Sequence, residues 1–130
     1  MNVVKPVVDW SLYPNFKEDE FRCKHTGLVA MQPAFLEVLQ RIRTELRRPM
    51  IVTSGYRHPT HPVEARKTHS NGEHTQGACA DIACNTGTMR FELVRLAMKH
   101  GIVRIGIHKT FLHLGIGGRN LPAPVIWEYT

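Results

Sequence analysis

Eight histidines stand beside only eleven acidic residues in this chain of 130, and two of them share a pattern with one aspartate. His74 precedes Asp81 by seven positions, with Gly77 between them, in the stretch His74-Thr-Gln-Gly-Ala-Cys-Ala-Asp81. An extended approach, a turn that glycine permits and entry into a strand bring such an imidazole and carboxylate to one point. His113 follows in Phe111-Leu-His113-Leu, which reads as the second strand of a hairpin. A close pair of ligands plus one distant ligand suits a catalytic zinc, because three protein ligands leave the fourth tetrahedral position to water. The ion then lowers the pKa of that water toward about 7 and polarises a carbonyl. The spacing fits equally a loop histidine beside a strand-edge carboxylate, and at this point both readings stand.

The elements that must position these residues follow from periodicity. Pro33 opens a helical pattern in which Phe35, Leu39, Ile42 and Leu46 recur at steps of three and four, running to about Arg48 before Pro49. Met50–Thr53 reads as a short strand that ends in the turn Ser54-Gly-Tyr-Arg57. Residues 58–78, rich in His, Pro, Thr, Asn and Gly, read as a long loop with one helical turn near Val63–Lys67. Ala80–Cys84 is a second strand. A helix over Thr88–His100 shows Phe91, Val94 or Arg95, and Met98 at helical steps, with Gly101 as its stop. Val103–Ile107 and Phe111–Ile116 form the hairpin, and Val125–Tyr129 is a last strand. The sum is a single α+β domain over residues 1–130, with helices packed on a mainly antiparallel sheet.

Composition narrows the function classes. Hydrophobic residues at 42% and charged residues at 22% fit a folded globular domain rather than a disordered chain. No apolar run approaches the roughly 20 residues of a spanning helix. The start lacks a basic flank followed by a sustained apolar stretch, so synthesis in the cytoplasm without a signal peptide is expected. Three cysteines, Cys23, Cys79 and Cys84, are an odd and sparse set that argues against a disulfide framework. The net charge of +6 is concentrated in residues 21–70, where nine basic groups face three acidic ones. Such a basic middle suits an anionic partner. Few aromatics interleave with the basic residues and no nucleic-acid motif is present, so a nucleic-acid partner is not expected.

Taken together, Ser54-Gly-Tyr-Arg57, His74-x-x-Gly77-x-x-x-Asp81-Ile82 and Phe111-Leu-His113 resemble the M15 family of zinc peptidases. The likeness is best to its D-alanyl-D-alanine carboxypeptidase-like branch, whose phage members include endolysins, and it runs from about Asn15 to Tyr129. The resemblance implies the fold shared by those peptidases and the hedgehog signalling domain. It implies one zinc per chain held by His74, Asp81 and His113, Arg57 gripping a substrate carboxylate, and His108 stabilising or protonating the reacting centre. The implied substrate is the stem peptide of bacterial peptidoglycan, cut as a D,D-carboxypeptidase or an L-alanyl-D-glutamate endopeptidase cuts it. The implied place of action is the cell wall or the host periplasm, for a phage lysis enzyme or a virion component; a monomer is the default. Arginine's fork suits bidentate capture of a carboxylate, and histidine's near-neutral pKa suits proton transfer to a leaving amine.

The chain departs from the family pattern in places. Gly72 stands where a serine is common, and Cys79 where an alanine is usual. Gly115 stands where many relatives carry an acidic residue, and Thr110 where other branches use a carboxylate, so no carboxylate general base is identified. Glu73 reads as an exposed loop glutamate. Cys23, His25, Cys79 and Cys84 read as buried thiols and a histidine rather than a second metal site. His58, His61 and His69 read as groove wall or exposed loop, and Trp127 and Tyr129 as core or edge packing. The alternative to an enzyme is a zinc-containing, non-catalytic module on the same fold that binds cell-wall peptide or protein.

Overall fold

A computed structural model describes residues 7–66 and 72–129. The first long helix, α1 (Pro33–Leu46), begins on a proline whose missing N–H costs nothing in the first turn. It buries Phe35, Leu36, Leu39, Ile42 and Leu46 along one stripe. It ends two residues before the expected limit, because Arg47 turns left-handed at φ 60° and its N–H closes onto the Arg43 carbonyl. A one-turn helix, α2 (Pro62–Ala65), interrupts the long loop, with the His61 side chain capping the Val63 N–H.

The third helix, α3 (Gly87–Lys99), is capped by the Thr86 hydroxyl on the Met89 N–H. Its buried face differs from the expected one. Leu93, Leu96 and Ala97 are fully buried, whereas Phe91 and Met98 are 66% and 54% exposed. Two apolar stripes run along this helix, and the stripe without the large aromatic is the one that docks.

Five strands complete the domain: β1 (Val52–Ser54), β2 (Cys79–Ala83), β3 (Arg104–Ile107), β4 (Phe111–Gly115) and β5 (Val125–Glu128). They form one mixed sheet in the order β1-β2-β4-β3-β5. The expected β3–β4 hairpin is present, and three of the four pairings are antiparallel. The last strand instead lies parallel to β3 on the sheet edge. The fold is the α+β arrangement read from the sequence.

Side chains alternate across the strands. One face carries Ala80, Ile82, Ile105, Leu112 and Leu114, all buried in a single core with the inner stripes of α1 and α3. The opposite face carries the polar set. Register places Ser54, Asp81, His113, Gly106 and Trp127 in one row across all five strands. A second row sets Cys79, Gly115, Arg104 and Val125 side by side.

Candidate metal centre

The polar face of the sheet receives its first histidine from a strapped turn. Residues 72–78 close on themselves through the Gln76 N–H on the Gly72 carbonyl and the Gly77 N–H on the His74 carbonyl. Gly77 has φ +68° and presses against Ala30, so a side chain there meets both backbone strain and the Ala30 carbonyl. The Gln32 N–H donates to the Gly77 carbonyl and ties this turn to the start of α1. His74 is thereby held over β2, where sequence reasoning placed it.

The turn after β1 supplies the partner that orients this ring. Gly55 packs so closely on Phe21 that an added Cβ would lie 2.6 Å from the Phe21 Cα. The Gly55 carbonyl then accepts from His74 Nδ1 at 2.7 Å. With the proton on Nδ1, Nε2 is the nitrogen with a free lone pair, and it lies 3.4 Å from Asp81 Oδ1. His113, across the ladder from Asp81, brings Nδ1 to 3.1 Å from the same oxygen. The two imidazoles stand edge to face with centroids 5.0 Å apart. His74, Asp81 and His113 are each only 4–5% exposed.

A fourth donor sits on this face. Cys79 lies two residues before Asp81 on the same side of β2, and its sulfur and one nitrogen each of His74 and His113 are all within 4.8 Å of one another. Burial pushes this thiol well above its ordinary pKa, and the charges of Glu73 and Asp81 add to the effect. Burial would also raise Asp81, but the His113 and His74 imidazoles against it outweigh burial and hold the carboxyl well below the carboxylate range. Two imidazoles and an ionised carboxylate are a donor set that zinc accepts, and a thiol beside them is a second choice. The chemistry of these donors fits a metal ion. Cys23, Cys84 and His25 take no part: the Cys23 sulfur accepts from the His58 N–H and the Cys84 thiol faces the Thr86 carbonyl.

Arg57 arrives at the same place. Its guanidinium lies 3.8 Å from Asp81 Oδ2 and 3.5 Å from Oε1 of the fully buried Glu64, and the Arg57 backbone N–H donates to the His74 carbonyl. His108 does not touch these residues among the described contacts. It stacks on Phe111 at 4.4 Å, meets Tyr129 edge-on, and its Nδ1 accepts the Thr110 N–H at 3.1 Å. His58 and His61 serve their own loop: His58 Nδ1 bonds Thr60, and His61 caps α2. His69 lies outside the described residues.

Three features escaped the sequence reading. Glu73, expected at the surface, is 4% exposed and bonds His113 Nε2 at 2.5 Å. Trp127 packs 5.1 Å from the His113 ring, with the Arg104 guanidinium over its own face at 5.1 Å. Gly106, the ladder partner of His113, leaves the room that the Trp127 and Tyr129 rings cross; an added Cβ would lie 2.7 Å from Trp127. The alternation of Val125-Ile-Trp-Glu-Tyr129 was the available signal, since it puts both rings on one face of the strand.

The family model for Peptidase M15 matches residues 14–115. The chain belongs to the M15 peptidase family. No curated protein matches the chain. Membership makes this a peptidase fold, and the matched span includes every residue of the polar cluster except the rings of Trp127 on β5 and Tyr129 just after it.

Proposed function

We propose that this M15 protein is a zinc-dependent peptidase acting on the stem peptides of bacterial peptidoglycan. The observation that carries the reading is the meeting of His74 Nε2 and His113 Nδ1 on one oxygen of Asp81, with the Arg57 guanidinium beside its other oxygen. Zinc, when bound, supplies an acidified water and a Lewis acid for the scissile carbonyl.

The chain's own residues do the rest. The Gly55 carbonyl fixes the His74 ring. Arg57 is held between Glu64 and Asp81 and offers its remaining N–H donors to a stem-peptide carboxylate, terminal or side-chain. Trp127 and Tyr129 form an aromatic wall that shields His113 from solvent. His108, whose Nδ1 accepts the Thr110 N–H, carries its own N–H on Nε2 and would donate a hydrogen bond to the oxygen that gains charge at the reacting centre. A concavity lined by Arg90, Ile107, His108, Lys109, Glu128 and Tyr129 continues from this histidine and would seat the rest of the peptide.

A second reading has its own observation. Cys79 within ligand range of both histidines would complete four protein donors, and a closed site is the mark of a structural zinc. On that reading the protein binds wall peptide or a protein without cutting it. Digestion of purified murein by the zinc-loaded protein, followed by mass spectrometry, separates the two. New free amines, retained in Cys79→Ala, are the expected result, and the released fragment identifies the bond cut. Unchanged muropeptides, with zinc lost from Cys79→Ala, would establish the closed site and defeat the peptidase.

A further inference from the structure

His113 uses both ring nitrogens, and the partner of the second is Glu73. The Glu73 carboxylate is almost wholly buried, with Oε1 2.5 Å from His113 Nε2 and 2.9 Å from Arg104 Nε, while Oε2 accepts the Gly117 N–H at 2.8 Å. Arg104 is in turn fixed by the Pro122 carbonyl and by the face of Trp127. No other carboxylate reaches His113 Nε2 among the described residues. The space for it comes from Gly115, whose missing Cβ would fall inside the Glu73 carboxylate. Position 115 faces the same side of β4 as His113, so any side chain there competes with Glu73 for one volume.

We infer that Glu73 is the positioning residue for the His113 ligand, delivered by the turn at residues 72–78 into the place that a side chain at position 115 would occupy. A carboxylate on Nε2 keeps the proton there, turns the ring and leaves the Nδ1 lone pair toward Asp81 and the metal. Glu73 is therefore engaged with His113, Arg104 and Gly117 rather than serving as a free base. The inference rests on His113 being a metal ligand, as proposed above.

The test compares wild type, Glu73→Gln, Glu73→Ala and the double variant Glu73→Ala/Gly115→Asp. Zinc affinity is read by chelator competition, and the His113 tautomer by ring-nitrogen NMR of the zinc-loaded protein. Glu73→Ala is expected to lose about 10–100-fold in zinc affinity, the range found for lost partners of metal-bound histidines. Glu73→Gln, which keeps an acceptor oxygen, should lose less and should preserve the fold. Gly115→Asp in the Glu73→Ala background should restore affinity, since it returns a carboxylate to the volume that Glu73 leaves. Zinc held by Glu73→Ala within about twofold of wild type, with Nε2 still protonated, would overturn the assignment and leave the peptidase standing. Conversely, a wild type that binds zinc but never cuts murein removes the peptidase and leaves the role of Glu73 to these affinities.

Discussion

His74 Nε2 and His113 Nδ1 meet at one oxygen of Asp81, and Arg57 stands against its other oxygen. Arg57→Ala removes the fork offered to substrate but no donor to the metal. Its expected effect is a 10–100-fold fall in kcat/KM on carboxylate-bearing stem peptides, the worth of about 1.5–3 kcal/mol for hydrogen bonds to a charge. Zinc content by atomic absorption should stay near wild type; equal loss of zinc would make Arg57 structural. The Glu73–His113 pair carries a pH signature in the metal-free protein. Burial would raise Glu73, yet bonds from His113, Gly117 and Arg104 hold it below its usual value. Burial would lower His113, yet bonds to Asp81 and Glu73 hold it above its usual value. The depressed carboxylate contributes stability above about pH 4.3, lost as pH falls through its lower folded value. The raised imidazole contributes below about pH 6.5, lost as pH rises through its higher folded value. Metal-free protein should therefore be most stabilised by this pair between those limits. The stability difference between wild type and Glu73→Gln, followed by urea unfolding, should shrink on both sides of that window.

At the scale of elements, α1 was legible because a proline start and an apolar repeat admit one helix with one inner stripe. For α3 the repeat was ambiguous: Phe91, Val94 and Met98 make one stripe and Leu93, Leu96 and Ala97 another, and only the neighbours choose. The core chooses the aliphatic stripe, which packs against α1 and the sheet. Leu93→Ala should accordingly cost about 2–5 kcal/mol as a buried cavity. Phe91→Ala, at an exposed position, should stay within roughly 0.5 kcal/mol. Chemical denaturation of the two variants checks the order, and a reversed order would put the other stripe inside. The edge strand shows the same limit, since its alternation marks which residues share a face but not the direction of its neighbour. Its parallel run beside β3 sets Trp127 opposite Gly106 and so brings the ring over to His113.

Over the whole molecule the sheet divides the work: α1, α3 and the core lie on one face, and the cluster of His74, Asp81, His113 and Glu73 on the other. Among the described residues no helix is long and apolar enough to cross a membrane. Because the core does not pass through the polar face, removing zinc should leave the fold in place and lower its stability. A ligand at about a hundred times its Kd adds about 2.7 kcal/mol. In a domain of this size that is roughly 10 °C in Tm. Calorimetry with zinc and with excess chelator should show such a difference alongside an unchanged far-ultraviolet spectrum; a chelated protein that unfolds outright would make the ion structural. Short-range pattern in the chain announced the elements, the His74–Asp81 pair and the strand bearing His113, because turns, alternation and helical repeats act over a few residues. Long-range packing alone settled the burial of Glu73, whose partners Arg104, His113 and Gly117 lie 31, 40 and 44 positions away. A loop carboxylate has no periodicity to betray its surroundings, and the space it fills is left by a glycine on β4.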